Sequence, residues 1–132
     1  MILLQFVLLL AVHWIADFVL QTHWMASNKS KSNVALGAHV ATYTAVLFGA
    51  LPVIFPGSMP SALGAILTFT VVNGALHFAT DYCTSRWTSR LFAAWMKDTQ
   101  RTDHIHNFFV VVGLDQLIHQ VTLAATMWWL LT

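Results

Sequence analysis

Histidine and aspartate occur in three pairs with identical spacing, and these pairs are the part of the sequence best suited to chemistry. The members of each pair are four residues apart, so in a helix both side chains lie on one face, one turn apart. The pairs are His13 with Asp17, His77 with Asp81, and Asp115 with His119. His39 supplies a fourth imidazole, and Cys83 is the one cysteine of the chain. This set of nitrogen and oxygen ligands suits Zn, Mn or Fe(II) rather than Cu(I).

Seven such side chains are more than one tetrahedral ion needs, which predicts one or two divalent ions, with zinc as the first choice and Mn or Fe as alternatives. The predicted metal ligands are His13, Asp17, His39, His77, Asp81, Asp115 and His119. A carboxylate that is not fully engaged as a ligand would serve as the catalytic base, and the candidates are Asp17, Asp81 and Asp115. The side chains expected to orient the ligands are Gln21, Thr42, Asn73, Gln116 and Thr122.

The composition determines which elements must position these residues. Of the 132 residues, 58% are hydrophobic and only 8% are charged, and the mean hydropathy is +0.68. A soluble domain carries about 25% charged residues, because water must wet its surface. The composition therefore argues against a soluble globule, a disordered chain and a nucleic-acid-binding protein, and a single cysteine excludes an internal disulfide. Residues 1–132 are predicted to form one integral membrane domain.

Four apolar segments are long enough to cross about 30 Å of hydrocarbon as helices. They cover about residues 1–26, 34–55, 61–83 and 108–132, and a tight connector with three prolines, residues 51–60, joins the second to the third. Residues 85–98 carry basic side chains on one face and aromatic ones on the other, which predicts a helix in the membrane interface. The predicted fold class is therefore all-α, a four-transmembrane-helix bundle with an additional amphipathic interfacial helix between the third and fourth spans.

The six basic residues all lie in the connectors at one end of this bundle. Lys29 and Lys31 are in the first connector, and the third contains Arg86, Arg90, Lys97 and Arg101. The positive-inside bias predicts that this side is cytoplasmic and that both termini are periplasmic. The same topology places all seven predicted ligands in the cytoplasmic half of the membrane. Because a charged side chain at that depth costs about 2.5 to 3.5 kcal/mol, these residues must compensate one another.

Four sequence blocks resemble those of a known family. The blocks are HWIADFVLQ at 13–21, GAH at 37–39, HFATD at 77–81 and DQLIH at 115–119. Together they look like domain-of-unknown-function family 3307, which groups small integral membrane proteins of bacteria and their phages. The resemblance covers nearly the whole chain and implies a compact helical fold in the bacterial inner membrane, but no settled activity. A looser likeness to small membrane-bound metal-dependent hydrolases with His-rich helices is an analogy alone.

Three functions are compatible with these residues. The first is an intramembrane metal-dependent hydrolase, in which a metal-bound water attacks a lipid or lipid-linked substrate. The second is a divalent-metal or proton transporter or channel, since buried Asp and His also mark ion pathways. The third is a non-catalytic membrane partner protein, in which the polar residues form a structural network. Membrane lipid is an expected partner, and Gly49, Gly64 and Gly74 would allow a homo-oligomer to pack closely.

Overall fold

A computed structural model describes residues 2–56 and 63–131 of the chain. All regular elements in these ranges are helical: α1 (Ile2–Trp14), a π-helical segment (Ile15–Val19), α2 (His23–Asn28), α3 (Asn33–Ile54), α4 (Leu63–Lys97) and α5 (Thr102–Leu131). Four helical stretches are long and apolar enough to cross a membrane, namely α1 with the π-helical segment, α3, α4 and α5. The predicted all-α class with four membrane-spanning helices is confirmed.

The four long helices pack in a ring around one interior. Helix α4 packs most extensively on α5 and also on α3, while α1 packs on α3 and on α5. The short α2 lies against α3. Each long helix therefore contacts two others, and side chains from all four can meet inside the bundle.

Three helix boundaries differ from those predicted, in the first span, at the end of α4 and at the start of α5, which begins at Thr102 and not at about residue 108. The first predicted span continues to about residue 26, but α2 begins anew at His23, where Thr22 Oγ1 accepts a hydrogen bond from the Met25 backbone N–H at 3.3 Å. Residues 85–98 are helical as predicted up to Lys97, but they continue α4 and do not form a separate element. No glycine or proline lies between residues 83 and 97, so nothing in the sequence interrupts the helix there. Residues 57–60 of the predicted tight connector lie outside the described residues.

The interior of the bundle divides into an apolar half and a polar half. The apolar half lies where α1 and α4 begin and where α3 and α5 end, and its fully buried side chains include Leu9, Leu47, Phe69 and Leu123. In the other half the buried side chains include His13, Asp17, His39, His77, Asp81 and His119. Because lipid offers no hydrogen bonds, polar side chains at this depth turn inward and satisfy one another. The polar half holds the candidate site.

Gly74 marks a close approach of α4 to α3. A Cβ added at Gly74 would lie 2.6 Å from Oγ1 of Thr44, and a β-branched side chain is stiff and cannot easily move aside. We expect Gly74→Ala to lower the free energy of unfolding by roughly 1–3 kcal/mol, measured by unfolding in detergent. Gly113→Ala is the matched control, because nothing lies within 4 Å of its added Cβ. Thr44→Ala is expected to restore stability to Gly74→Ala, and equal stability of the two glycine variants would contradict this packing.

The same contact changes the role suggested for Gly74. It was expected to bring copies of the chain together, but its surface is buried against Thr44 of the same chain. At Gly49 and Gly64 an added Cβ would meet nothing within 4 Å. Only these two of the three glycines keep the open surface that a contact between copies would need.

Candidate metal centre

Two of the predicted ligands come from the place where α1 changes to the π-helical segment. His13 is in the last turn of α1, and Asp17 lies within the segment. The segment closes with a hydrogen bond from the Leu20 backbone N–H to the Ile15 carbonyl at 2.9 Å. Such wide turns inside helices are frequent at functional sites. Here the Asp17 carboxylate reaches α3, where its Oδ1 lies 3.1 Å from Nε2 of His39.

The first ligand group consists of Asp17, His39, His77 and Asp81, and all four residues are buried. One ligand atom from each lies within 4.8 Å of the others. His39 Nε2 is 3.0 Å from His77 Nε2 and 3.3 Å from Asp81 Oδ2. His77 Nε2 is 3.6 Å from Asp17 Oδ1 and 3.8 Å from Asp81 Oδ2. Four donor atoms from the π-helical segment, α3 and α4 therefore surround a common point.

The second ligand group consists of Asp81, Asp115 and His119. His119 Nε2 lies 3.2 Å from Asp81 Oδ1 and 3.6 Å from Asp115 Oδ1. Asp81 belongs to both groups, because its Oδ2 faces the first and its Oδ1 faces the second. One carboxylate thus connects two sets of donors, as a carboxylate that bridges two ions does.

The separations between the donor atoms agree with the ligand shell of a tetrahedral ion. Metal–ligand distances of about 2.0–2.1 Å for zinc place neighbouring ligand atoms roughly 3.3 Å apart. In the first ligand group the separations given above run from 3.0 to 3.8 Å, and in the second they are 3.2 and 3.6 Å. Both groups also contain only imidazole and carboxylate donors. The cluster therefore could hold a divalent metal ion.

His13 lies beside the two ligand groups and in neither of them. Its Nε2 is 3.9 Å from Asp17 Oδ2 and 3.3 Å from Gln116 Oε1, while its Nδ1 is 3.3 Å from the Tyr43 hydroxyl. The Gln116 side-chain amide donates hydrogen bonds to Asp17 Oδ2 at 3.0 Å and to Asp115 Oδ2 at 3.1 Å. Gln116 therefore holds two carboxylates in place, which is the orienting contact predicted for it.

The other side chains expected to orient the ligands make different contacts. Thr42 and Thr122 donate to backbone carbonyls of their own helices. Asn73 donates to the Thr126 hydroxyl at 2.9 Å and so joins α4 to α5 away from the ligand groups. The Gln21 Oε1 is buried and has no hydrogen-bond partner among the residues the structure describes. None of these four forms a side-chain hydrogen bond to a ligand carboxylate or imidazole in the described part of the chain.

Three residues that the sequence reasoning missed touch the cluster. In the sequence Lys29 indicates the topology and its position gives no sign of a place in the site, yet its Nζ donates to Asp81 Oδ2 at 2.8 Å. The Thr84 hydroxyl donates to Asp115 Oδ1 at 2.5 Å, and the Tyr43 ring stacks on His77 with 4.0 Å between ring centroids. The signal for Lys29 was the charge balance, because three intramembrane carboxylates with neutral imidazoles require nearby positive charge.

The inner cavity, as we name it, has a volume of about 200 Å³ and adjoins the cluster. Asp17, Asp81 and Asp115 all line it, together with Lys29 and Gln116. The side chain of Asp115 is 16% exposed, compared with 4% for Asp17 and 2% for Asp81. The three carboxylates thus border one space, and Asp115 is the most accessible of them.

The net charge of the cluster would be balanced by one divalent cation. Three ionised carboxylates and the Lys29 ammonium add up to a charge of −2 when the imidazoles are neutral. A buried charge without compensation is costly, and more so at membrane depth. Either one divalent ion or two protonated imidazoles would balance it. A second ion would bring the cluster to +2, which suits an anionic ligand.

Fold and site together define the class of this protein. It is a four-span helical membrane protein with a buried cluster of histidine and aspartate from all four long helical stretches. Within that class, the chain belongs to the family of proteins of unknown function DUF3307, whose model matches residues 5–132. The resemblance noted in the sequence is thereby confirmed over nearly the whole chain. No match to this chain is found among curated proteins or among solved structures.

Proposed function

We propose that this chain is an intramembrane metal-dependent hydrolase that acts on a lipid or lipid-linked substrate from the cytoplasmic leaflet of a bacterial inner membrane. The observation that carries the proposal is the inner cavity, because all three cluster carboxylates line it. The first ligand group would hold an ion, zinc as the first choice, and Asp81 would bridge to a second. A bound ion supplies hydroxide near neutral pH and polarises the bond to be cleaved.

Asp115 is the carboxylate best placed to accept a proton from the attacking water. Its side chain is the most exposed of the three, and it lines the inner cavity. Hydrogen bonds from Thr84 and Gln116 fix its two oxygens. Asp17 and Asp81 are nearly inaccessible and lie among imidazole nitrogens, which favours a ligand role for both. No residue other than Asp115 is therefore needed as the general base.

The packing of the apolar half supports hydrolysis over transport. A transport pathway must open alternately on both sides of the membrane, and so requires polar groups or a gate beyond the cluster. In the part of the chain that the structure describes, the interior beyond the cluster is mainly apolar, with buried side chains such as Leu47, Leu51 and Leu123. The buried polar side chains found there are hydrogen-bonded to one another or to their own helices, namely Thr70, Asn73 and Thr126. A cavity on the cluster side with a packed interior opposite it suits an enzyme that admits its substrate from one leaflet.

The basic residues support a cytoplasmic position for the cavity. Lys29 lines it, Lys31 follows in the same connector, and Arg86 donates a hydrogen bond to Asn33 Oδ1 at 2.7 Å where α3 begins. Positive charge is therefore concentrated where the polar half opens. Under the positive-inside bias this end faces the cytoplasm, with both termini on the periplasmic side.

The metal content of the purified protein is the first test. We expect detergent-purified protein from a metal-replete culture to hold one or two divalent ions per chain, measured by elemental analysis. His77→Ala is expected to remove most of the metal, because His77 provides one of four donors in the first ligand group. His106→Ala is the matched control, since His106 is exposed and belongs to neither ligand group.

The outcomes separate the three functions. If the wild-type protein holds no metal, the third function is favoured, in which the polar residues form a structural network in a non-catalytic partner protein. Gradient-driven metal or proton uptake into sealed vesicles by the purified protein would favour a transporter. Metal-dependent release of product from a labelled lipid, lost in His77→Ala and kept in His106→Ala, would support the hydrolase.

A further inference from the structure

The outer cavity, as we name it, lies beside the inner cavity and has a volume of about 460 Å³. Lys29, Ser85 and Thr88 line both cavities and so form their common wall. The rest of its lining comes from α2, from the connector before α3, from the last part of α4, and from α5. A ligand seated in the outer cavity would therefore lie directly next to the cluster carboxylates.

The polar lining of the outer cavity suits a phosphate group. Its two charged residues are Lys29 and Lys31, and its other polar residues carry hydroxyls. No aspartate of the described residues lines it, in contrast to the inner cavity. Ammonium groups and hydroxyls donate charge-assisted hydrogen bonds to phosphate oxygens, and no carboxylate among the described side chains lines the cavity to repel an anion in direct contact.

Ser85 is an independent observation that points to a ligand. Its Oγ is buried, yet it has no hydrogen-bond partner within the described ranges. A buried hydroxyl without a partner costs free energy, so such groups in native proteins call for an explanation. The neighbouring Thr88 hydroxyl is satisfied by the Thr84 carbonyl at 2.9 Å. A phosphate oxygen bound at the wall that the two cavities share would supply the missing hydrogen-bond partner of Ser85 Oγ.

The apolar edge of the outer cavity indicates that the phosphate belongs to a lipid. Phe92 and Phe108 both line the cavity, and their ring centroids are 5.8 Å apart. Phe92 is 44% exposed on the outside of a bundle whose long helices are membrane spans. Aromatic rings at such an interface pack against acyl chains while polar groups beside them contact headgroups.

We infer that the outer cavity is the headgroup subsite for a phosphate-bearing lipid, with Lys31 and Ser85 on the phosphate and Phe92 and Phe108 against the acyl region. The inference names the substrate class of the proposed hydrolase. It rests on that proposed function only for the cleavage of the lipid at the inner cavity. The binding itself needs no metal in either ligand group, so it can be measured separately.

The test is direct binding to the full chain in detergent. Dihexanoyl phosphatidic acid is titrated by calorimetry in the presence of a chelator, so that metal-dependent turnover does not consume it. We expect the neutral dihexanoylglycerol and inorganic phosphate each to bind at least roughly tenfold more weakly, because each lacks one half of the ligand chemistry. Lys31→Gln and Ser85→Ala are each expected to weaken lipid binding by roughly tenfold. Lys31→Arg is expected to retain it.

Lys97→Gln is the matched control, because Lys97 ends α4 and does not line the outer cavity. Undiminished binding in both Lys31→Gln and Ser85→Ala would overturn the subsite. Inorganic phosphate binding as tightly as the lipid would overturn the lipid assignment, as would equal binding of dihexanoylglycerol. If the protein does not bind the lipid but still hydrolyses another substrate in a metal-dependent way, this inference is overturned and the proposed hydrolase function is not. Specific lipid binding by a protein that never holds metal would support it while contradicting the hydrolase.

Discussion

Asp81→Asn is expected to lower metal occupancy at both ligand groups at once and to reduce hydrolysis by roughly a hundredfold or more. The reason is that the Asp81 Oδ2 faces His39 and His77 while its Oδ1 faces His119. An amide is neutral and offers only one oxygen, so it can neither bridge two ions nor offset their charge. Substitution of residues that only support metal ligands already costs roughly 10–100-fold, and Asp81 belongs to both candidate ligand groups. Elemental analysis and turnover of a labelled lipid measure the effect.

The controls for Asp81→Asn separate loss of chemistry from loss of fold. Asp98→Asn makes the same chemical change at an exposed position after α4 and is expected to leave metal and turnover unchanged. Asp115→Asn, which alters the second ligand group alone, is expected to retain metal in the first group and to lose turnover. Unfolding measured in detergent shows whether each variant remains folded. A folded Asp81→Asn protein with the full metal content of the wild type would contradict the bridging role.

The fold could be predicted from the sequence because the bilayer imposes a strict requirement. A helix must be apolar over about 20 residues to cross it, and the chain satisfies this four times. The pairs at i, i+4 were informative for the same reason, since few residues of this kind are tolerated at membrane depth. Six of the seven predicted residues could therefore be assigned to one cluster before their contacts were known, namely Asp17, His39, His77, Asp81, Asp115 and His119. Helix type, spacing and depth were sufficient for these six residues.

The parts that escaped prediction depend on contacts between distant residues. The π-helical segment around Asp17 changes the angle between Asp17 and His13 relative to an α-helix, and His13 lies beside the ligand groups. Nothing in the residues of that segment identifies a wide turn. Lys29 lies in a polar connector and reaches Asp81, 52 positions away in the chain. Such a contact follows from how the helices pack, and a helical repeat pattern contains no information about it.

The charge of the cluster connects the proposed metal centre to the lipid proposed for the outer cavity. With Lys29 in place, one divalent ion neutralises the three carboxylates, and a second ion would leave a charge of +2. A phosphate-bearing lipid would supply compensating negative charge next to the cluster. Binding of a second ion and of the lipid would therefore favour one another, because each lowers the cost of burying the other's charge. Lys29 is central to this balance, since it touches Asp81 and lines both cavities.

Lys29→Met is expected to tighten metal binding by roughly tenfold or more while lowering lipid turnover. The Lys29 ammonium lies 2.8 Å from Asp81 Oδ2, an oxygen that also faces the first ligand group. It therefore competes with a cation for that oxygen and repels it through a poorly screened interior. Its removal changes the charge of the cluster from −2 to −3, so the metal-free protein is expected to unfold at a lower temperature. Competition with a chromophoric chelator measures the affinity, and unfolding with and without chelator measures the stability.

Lys31→Met is the matched control, because it removes the same charge from the same connector and Lys31 has no ion pair with Asp81. It is expected to leave metal affinity close to that of the wild type. The purely structural reading of the cluster leads to a different result for Lys29→Met, in which stability falls equally with and without metal because no ion replaces the lost ammonium. Opposite changes in metal affinity and turnover are therefore the signature of a lysine placed between a metal centre and an anionic substrate. A Lys29→Met protein with weaker metal binding than the wild type would contradict that placement.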